Sequence, residues 1–340
     1  MWSSGSRSHE ILSNSIITWG FENIKWGVNM QAQSLVQTID LSREQWLEAR
    51  RKGIGGSDVS AIAGLNKWKS PVAVYLDKIG QSPLEDTAGE AAYWGNVMED
   101  IVAQEFSIRT GLKVRRRNAI LKHPEHEFMF ANVDRLIIGK KEGLECKTAS
   151  EFLKSEWEDD EIPAAYLLQI QHYMAVTGYK AWHIAVLIGG NKFIFKKVER
   201  DEELINYLIQ IEKDFWENHV LKEIPPAFDG SDASVDLLKA LYPESEPDSE
   251  INLPSEAEML IDALDQLKED LSELQTKEKE YKNKIKDFMG TTEKAFAGTR
   301  KVTWKSASVT RIDSKWLKAE HPDLYEKYSK TTSERKFLIK

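Results

Sequence analysis

Apolar residues recur with two different periods along residues 41–228, and this alternation predicts a fold that mixes helices with strands. Helical spacing predicts helices over Glu44–Arg51, Val59–Ala63, Pro71–Gly80, Trp94–Thr110, Tyr166–Thr177 and Leu204–His219. Short β-branched and aromatic runs predict strands over Lys113–Arg117, Ala119–Leu121, Trp182–Ile188 and Lys192–Val198. In Trp94–Thr110 the stripe predicted to face the core is Val97, Ile101, Val102 and Phe106. We therefore expect an α/β fold.

The segment Ala131–Lys147 predicts a β-hairpin around which the other elements are arranged. Val133–Ile138 and Leu144–Ala149 have strand composition, and the glycine-rich stretch between them has turn chemistry. Alternate residues of a strand point to one face, so Glu145 and Lys147 are expected side by side. A turn centred near residue 141 would place Asp134 opposite residue 148 or 149, beside Lys147.

This hairpin brings two carboxylates and one ammonium to the same end of a largely apolar unit. Carboxylate oxygens are the ligands that Mg²⁺ prefers. A lysine whose pKa is lowered by burial could take a proton from an attacking water. The alternative is a solvated sheet face that carries a cross-strand ion pair and no chemistry.

A second candidate site is the turn Gly53–Asp58, which leads into a predicted helix. Backbone N–H groups at such a turn suit a phosphate, and Arg50 and Ser57 would complete the pocket. The alternative is a tight turn with no ligand. The basic clusters Arg50–Lys52 and Lys113–Arg117 could line a DNA channel or simply be solvated surface.

Composition limits the possible classes of protein. The 340 residues suggest two units, or one with an appendage, and the net charge of −9 argues against an indiscriminate coat on nucleic acid. The single cysteine, Cys146, excludes intrachain disulfides and is compatible with a cytoplasmic protein. The sequence contains no apolar run long enough to span a membrane, so no membrane association is expected.

The two ends of the chain differ from the middle. Residues 1–29 lack a sustained pattern, and we expect them to be a non-native or disordered leader before Met30. Residues 30–228 form the predicted main domain, and residues 229–254, rich in Asp, Ser, Glu and Pro, are a predicted linker. Residues 255–340 are predicted to form a helical C-terminal appendage with a hairpin over 295–304. Its heptad-like seam, Leu260–Phe288, could serve self-association or pack on the main domain.

Four segments together resemble the YqaJ-type viral recombinases, which are relatives of lambda exonuclease in the PD-(D/E)xK nuclease superfamily. They are Arg50 with Gly53–Asp58; Trp94, Gly95 and Glu99; Ala131–Asp134 with Glu145–Lys147; and Tyr166–Gln171. The resemblance covers roughly residues 41–228. Val133 stands where the superfamily label has proline, and proline there is not a metal ligand. The resemblance implies a restriction-endonuclease-like core, with a mixed central sheet flanked by helices.

The resemblance also implies roles for individual residues. Asp134, Glu145 and the backbone carbonyl of Cys146 would ligate Mg²⁺, for which Mn²⁺ could substitute, and Glu99 would add a carboxylate through water. Lys147 would orient or deprotonate the attacking water.

On the DNA side, the resemblance implies that Gln169 would hold Lys147 or the scissile phosphate, and that Arg50 and Ser57 would bind the 5′-terminal phosphate. The expected function is a Mg²⁺-dependent 5′→3′ exonuclease that acts on double-stranded DNA ends and supplies single strands for phage-type recombination. A homo-oligomeric ring trimer and a RecT-like annealing protein are the implied partners. The alternatives are a PD-(D/E)xK endonuclease and a non-catalytic DNA-binding scaffold that uses the 260–288 seam.

Overall fold

The computed structural model of the protein describes residues 32–82, 89–159, 161–331 and 335–339. The predicted leader, residues 1–29, lies outside these ranges. The chain divides into two compact units, Met1–Leu241 and Tyr242–Lys340. No helix of the described ranges is long and apolar enough to cross a membrane.

The described part of the first unit contains nine strands and seven α-helices. The strands are β1 (Gln33–Gln37), β2 (Ile54–Gly55), β3 (Val114–Arg116), β4 (Ala119–Lys122), β5 (Met129–Asn132), β6 (Arg135–Ile137), β7 (Glu142–Ala149), β8 (Ala181–Ile188) and β9 (Lys192–Glu199). The α-helices are α1 (Arg43–Arg51), α2 (Gly56–Ile62), α3 (Pro71–Lys78), α4 (Glu90–Thr110), α5 (Ala164–Thr177), α6 (Glu202–Phe215) and α7 (Asp232–Leu241). A 3₁₀ helix, Glu151–Trp157, follows β7, and a π-helical turn, Trp216–Val220, extends α6.

The strands form two sheets within these ranges. The larger sheet has the order β3-β6-β7-β8-β9, in which only β7 and β8 run parallel. The smaller sheet has the order β1-β4-β5-β2, and its β2–β5 pair is parallel. The predicted α/β class, with a mixed sheet flanked by helices, is confirmed.

Helix α5 lies at the centre of the first unit. Every residue from Leu168 to Thr177 is buried, and its apolar side chains pack both on the larger sheet and against α2 and α6. Such all-round apolarity is typical of an internal helix. Its end is set by Gly178, whose φ of 68° is left-handed.

The predicted core face of α4 is partly wrong. Val102 and Phe106 are buried as predicted, but Val97 and Ile101 are exposed, and Ala103 is buried instead. The C-terminal half of α4 carries the buried positions that pack with Leu144 of β7 and Ala185 of β8. The apolar stripe read from the sequence therefore continues beyond the part of the helix that meets the sheet.

The predicted linker over residues 229–254 differs from the structure, because Asp232–Leu241 form α7. Leu237 and Leu241 lie one helical turn apart, and they pack with Val72 and Ala73 of α3. The acidic and proline-rich composition of this stretch conceals that short apolar stripe. The first unit consequently extends to Leu241.

The second unit contains a long helix, a hairpin and two short helices within the described ranges. They are α8 (Ser255–Met289), β10 (Lys294–Ala297), β11 (Arg300–Thr303), α9 (Ser314–Glu320) and α10 (Pro322–Tyr328). The predicted hairpin is confirmed, with Gly298 at its bend at a φ of 60°. The apolar seam residues Leu260, Leu264, Leu267, Leu271, Leu274, Tyr281, Ile285 and Phe288 are exposed.

Candidate active site

The β6–β7 hairpin sets the position of Asp134. Arg135 pairs with Leu144 and Leu136 with Gly143, so Asp134 lies beside Glu145 and Cys146. The backbone N–H of Cys146 donates to Asp134 Oδ2 at 2.8 Å. The predicted register, with Asp134 opposite residue 148 or 149, was wrong. The chain turns earlier, at Gly139, whose φ of 80° needs no Cβ.

Glu145 is buried in the middle of β7, and its two oxygens have different surroundings. Oε1 accepts from Lys147 Nζ at 2.6 Å and from Gln169 Nε2 at 2.9 Å. Oε2 is buried and has no hydrogen-bond partner among the described residues. The prediction that Glu145 and Lys147 share one face is confirmed. An orphaned carboxylate oxygen is costly to bury, about 1–3 kcal/mol or more, and a cation at Oε2 would remove that cost.

The charges of this cluster act strongly on one another. Burial raises the pKa of Asp134 well above its ordinary value, and the neighbouring charge of Glu145 raises it further. Burial alone would lower the pKa of Lys147, but the carboxylates of Glu145 and Asp134 outweigh burial and raise it. The expected lysine of depressed pKa is therefore wrong for this arrangement, and Lys147 stays an ammonium that donates hydrogen bonds.

Glu99 is held by an arginine that sequence reasoning missed. Arg135, only 4% exposed, donates from Nη1 to Glu99 Oε1 and to the backbone oxygen of Asp134, and from Nη2 to Asp100 Oδ1 at 2.6 Å. Within the ranges described, no three Asp, Glu, His or Cys side chains form a preformed cation site. The structure thus brings Asp134 and Glu145 together, while Glu99 faces Arg135. The sequence signal that could have indicated the role of Arg135 is an arginine directly after Asp134 in an otherwise apolar strand.

Gln169 reaches the site from α5. Its Nε2 donates to Glu145 Oε1 and, at 2.7 Å, to Tyr173 Oη, which in turn donates to the backbone oxygen of Asn132 at 3.1 Å. Its partner is therefore Glu145, where the resemblance implied Lys147 or the phosphate. Tyr166, which like Gln169 belongs to α5, also contacts the site. Its ring centroid lies 5.1 Å from Lys147 Nζ.

Two glycines, one in the turn before α2 and one at the first position of that helix, are explained by close packing. A Cβ on Gly56 would lie 2.5 Å from Tyr173 Cε1 and 3.1 Å from Gln169 Cγ. A Cβ on Gly53 would lie 2.7 Å from a ring carbon of Phe130. The turn therefore buttresses the α5 residues that hold Glu145, a contact that no local pattern in the sequence indicates.

The second predicted pair, Arg50 and Ser57, is also brought together. Arg50 Nη2 donates to Ser57 Oγ at 3.0 Å, and the guanidinium lies 4.6 Å from the ring centroid of Trp46. The neighbouring Asp58 is buried, accepts from the N–H of Gly55 at 3.1 Å, and pairs with Lys78 Nζ at 2.7 Å.

Asp58 and Lys78 were not predicted as a pair. Burial would raise the pKa of Asp58, but Lys69, Lys78 and Arg50 outweigh burial and hold that pKa well below its ordinary value. The carboxylate therefore stays ionised and fixes the turn that carries Ser57.

Comparison with known proteins finds one family profile, one close relative in sequence and several solved structures to which the chain is similar. A profile of the YqaJ-like viral recombinase domain matches residues 45–180. The uncharacterized protein YqaJ of Bacillus subtilis (strain 168) is 49% identical over 312 residues, which cover 91% of this chain and 98% of that protein. An alkaline exonuclease from Laribacter hongkongensis has 19% identity and a TM-score of 0.45, with coverage of 53% of this chain and 94% of its own. A phage-related exonuclease from Haemophilus somnus 129PT has 16% identity and a TM-score of 0.40. The match covers 50% of this chain and 96% of the exonuclease.

Proposed function

This chain belongs to the family of YqaJ-like viral recombinases, and on that premise we propose that it is a Mg²⁺-dependent 5′→3′ exonuclease of double-stranded DNA. Such an enzyme would supply single strands for phage-type recombination and would act in the cytoplasm. The observation that carries the proposal is the cluster of Asp134, Glu145 and Lys147 on the β6–β7 hairpin, in which Glu145 is buried and the other two side chains are half-buried.

The donor set fits a hard divalent cation. Glu145 offers a buried oxygen that lacks a partner among the described residues, and Asp134 retains one oxygen beyond its bond to Cys146. Asp134, Glu145 and the backbone carbonyl of Cys146 would hold Mg²⁺ or Mn²⁺, and Glu99 would contribute through water. When bound, the cation lowers the pKa of water and neutralises phosphate charge.

The remaining side chains would position the reacting groups and stabilise the charge that develops on the phosphate. Lys147, protonated and 2.6 Å from Glu145, would donate to a phosphate oxygen and stabilise the negative charge that develops there. It would also orient the attacking water. Gln169 would act as a positioning residue, because its amide holds Glu145 Oε1 and thereby turns Oε2 toward the cation.

Arg50 and Ser57 would bind the 5′-terminal phosphate. Their side chains are already within hydrogen-bond distance of each other, and the buried carboxylate of Asp58 fixes the backbone of Gly55 beside them. A terminal phosphate carries more charge than an internal diester, and a guanidinium can bind it bidentately. Such a contact could be worth about 1.5–3 kcal/mol, or roughly ten- to a hundredfold in engagement of the end.

The test is a linear duplex labelled at either end, assayed with and without Mg²⁺ beside a covalently closed circle. We expect release of nucleotides from 5′ ends, only with the cation, and no cutting of the circle. The linear duplex should be degraded faster with a 5′-phosphate than with a 5′-hydroxyl, and Arg50→Ala should reduce that preference. Cutting of the circle would favour the endonuclease alternative, and unchanged behaviour of Glu145→Ala the non-catalytic scaffold.

We also propose that the chain works as a homo-oligomer, a ring trimer by resemblance, together with a RecT-like annealing protein. The exposed apolar seam of α8 offers a surface for the first association. Light scattering on the full chain would measure the subunit number. A Leu267→Asp, Leu271→Asp double variant distinguishes two possible interfaces. It should lower the subunit number if α8 forms the interface, and leave the number unchanged if the nuclease unit forms it.

A further inference from the structure

The loop between α2 and α3 presents an unusually exposed aromatic side chain. Trp68 is 86% exposed and stands between Lys67 and Lys69. An indole this exposed is available for contact with a partner. Its surroundings indicate what that partner is.

The loop is held in one conformation by its own side chains. Asn66 Oδ1 accepts from the backbone N–H groups of Trp68 at 2.8 Å and Lys69 at 2.9 Å, and Asn66 Nδ2 donates to Ser60 Oγ at 3.0 Å. The backbone N–H of Leu65 donates to Ser60 O at 2.8 Å. Because Ser60 belongs to α2 and is buried, these bonds fix the base of the loop while the indole projects outward.

Two ion pairs place the loop between the two halves of the proposed site. Lys69 Nζ lies 3.0 Å from Asp58, which directly follows Ser57 of the phosphate-binding pair. Lys67 Nζ lies 2.8 Å from Glu156, on the 3₁₀ helix that follows the catalytic strand β7. The two lysines that flank the indole are therefore tied to the residue after Ser57 and to the segment that follows β7.

A groove of about 1290 Å³ joins Trp68 to that pocket, since both Trp68 and Arg50 line it. Its lining also includes Arg51, Lys67 and Lys69, which provide cations along one side. The charged lining residues from α7 are Asp232, Asp236 and Lys239, so that part of the groove has mixed charge. The groove exceeds the roughly 300–1,000 Å³ of ordinary small-molecule sites, as a nucleic-acid strand would require.

We infer that Trp68 is a stacking platform for a nucleobase at the end of the bound DNA strand. The inference rests on the proposed function, since it assigns a contact to that DNA. Every base has a π face that an indole can cover, so the contact would be independent of sequence. Lys67, whose side chain is 69% exposed, would meet the phosphate backbone beside the stacked base.

The test uses a 5′-phosphorylated duplex whose 5′-terminal base is 2-aminopurine, a base whose fluorescence is quenched by stacking. The fluorescence of the protein itself cannot isolate Trp68, because the chain has 11 tryptophans. Binding is measured on the full chain carrying Glu145→Ala, so that bound DNA stays intact. The variants are Trp68→Ala and Trp68→Phe, and Trp316→Ala is the matched control, because Trp316 is an exposed tryptophan of the second unit.

We expect the parent and Trp316→Ala to quench the probe, and Trp68→Phe to retain most of the quenching. Trp68→Ala should lose it and bind about 5- to 150-fold more weakly, the range for losing one base–aromatic stack. Equal quenching and affinity with and without Trp68, or binding without quenching in the parent, would overturn the inference. The nuclease assay on the wild type is separate. Its failure, with quenching retained, would refute the enzyme and leave the stacking contact standing.

Discussion

Substituting Gly56 by alanine tests whether the start of α2 positions Glu145, the proposed metal ligand. The new Cβ would lie 2.5 Å from Tyr173 Cε1 and 3.1 Å from Gln169 Cγ. Ordinary carbon–carbon contacts are about 3.5–4.0 Å, so the ring or the turn must move by about 1 Å. Tyr173 is only 4% exposed and packs on Trp182, so the ring has no free space into which it can move.

The expected costs follow from that displacement. Overpacking a filled core costs about 1–3 kcal/mol of the free energy of unfolding. Gln169 and Tyr173 share a hydrogen bond, and Gln169 holds Glu145 Oε1, so the displacement should reach the carboxylate. A shift of about 1 Å at reacting groups can lower the rate roughly a hundredfold. We therefore expect Gly56→Ala to lose activity beyond what its loss of stability explains.

The assay combines urea denaturation with initial rates of linear-duplex degradation, measured where each variant is fully folded. Gly55→Ala is the matched control, because its Cβ would meet Asp58 Oδ2 at 3.6 Å and Arg50 Nη2 at 3.7 Å, which are ordinary contacts. Gly55 has a φ of −92°, which any residue adopts. If Gly56→Ala matches Gly55→Ala in both stability and rate, the packing link between the turn and Glu145 is refuted.

Three further outcomes are expected. Asp134→Ala or Glu145→Ala should fold and bind DNA yet lose more than about 10³-fold in nuclease rate, measured in Mg²⁺; near-normal rates would contradict the site. A chain ending at Leu241 should fold and stay active, whereas one ending at Pro226 loses the packing of Leu237 on α3 and should melt several degrees lower by calorimetry. Burial lowers the pKa of His172, but Glu212 at 2.9 Å outweighs burial and raises it. Its stabilising contribution is therefore complete below about pH 6.5 and is lost as pH rises through the folded pKa, and Glu212→Gln should flatten that fall in urea titrations.

The placement of Glu145 beside Lys147 could be predicted because it is local. Strand periodicity alone places Glu145 beside Lys147, and their separation of 2.6 Å confirms it. The register of Asp134 could not be predicted, since it depends on whether the chain turns at Gly139 or two residues later. Both turns satisfy the composition of the segment, and only the pairing of the whole strands decides between them.

Contacts between distant elements escaped prediction for a different reason. Arg135 and Glu99 are 36 residues apart, and nothing within either segment indicates that they meet. The same holds for Gly56, whose lack of a side chain suits many tight turns but is needed here for the ring of Tyr173. Such residues become interpretable only when α4, α5 and the hairpin are placed together.

The ion-pair pattern of the site also indicates how a cation and DNA would bind together. Four carboxylates, Glu99, Asp100, Asp134 and Glu145, lie among three cations, Arg116, Arg135 and Lys147. With all seven groups ionised, the cluster would carry one excess negative charge; burial first, and then the charge of Glu145, raise the pKa of Asp134 there. A divalent cation would reverse the sign of the excess, and the single charge of a phosphodiester would then neutralise it. Because Arg135 already pairs with Glu99 and Asp100, we expect this reversal to act mainly at Asp134 and Glu145, beside the proposed position of the scissile phosphate.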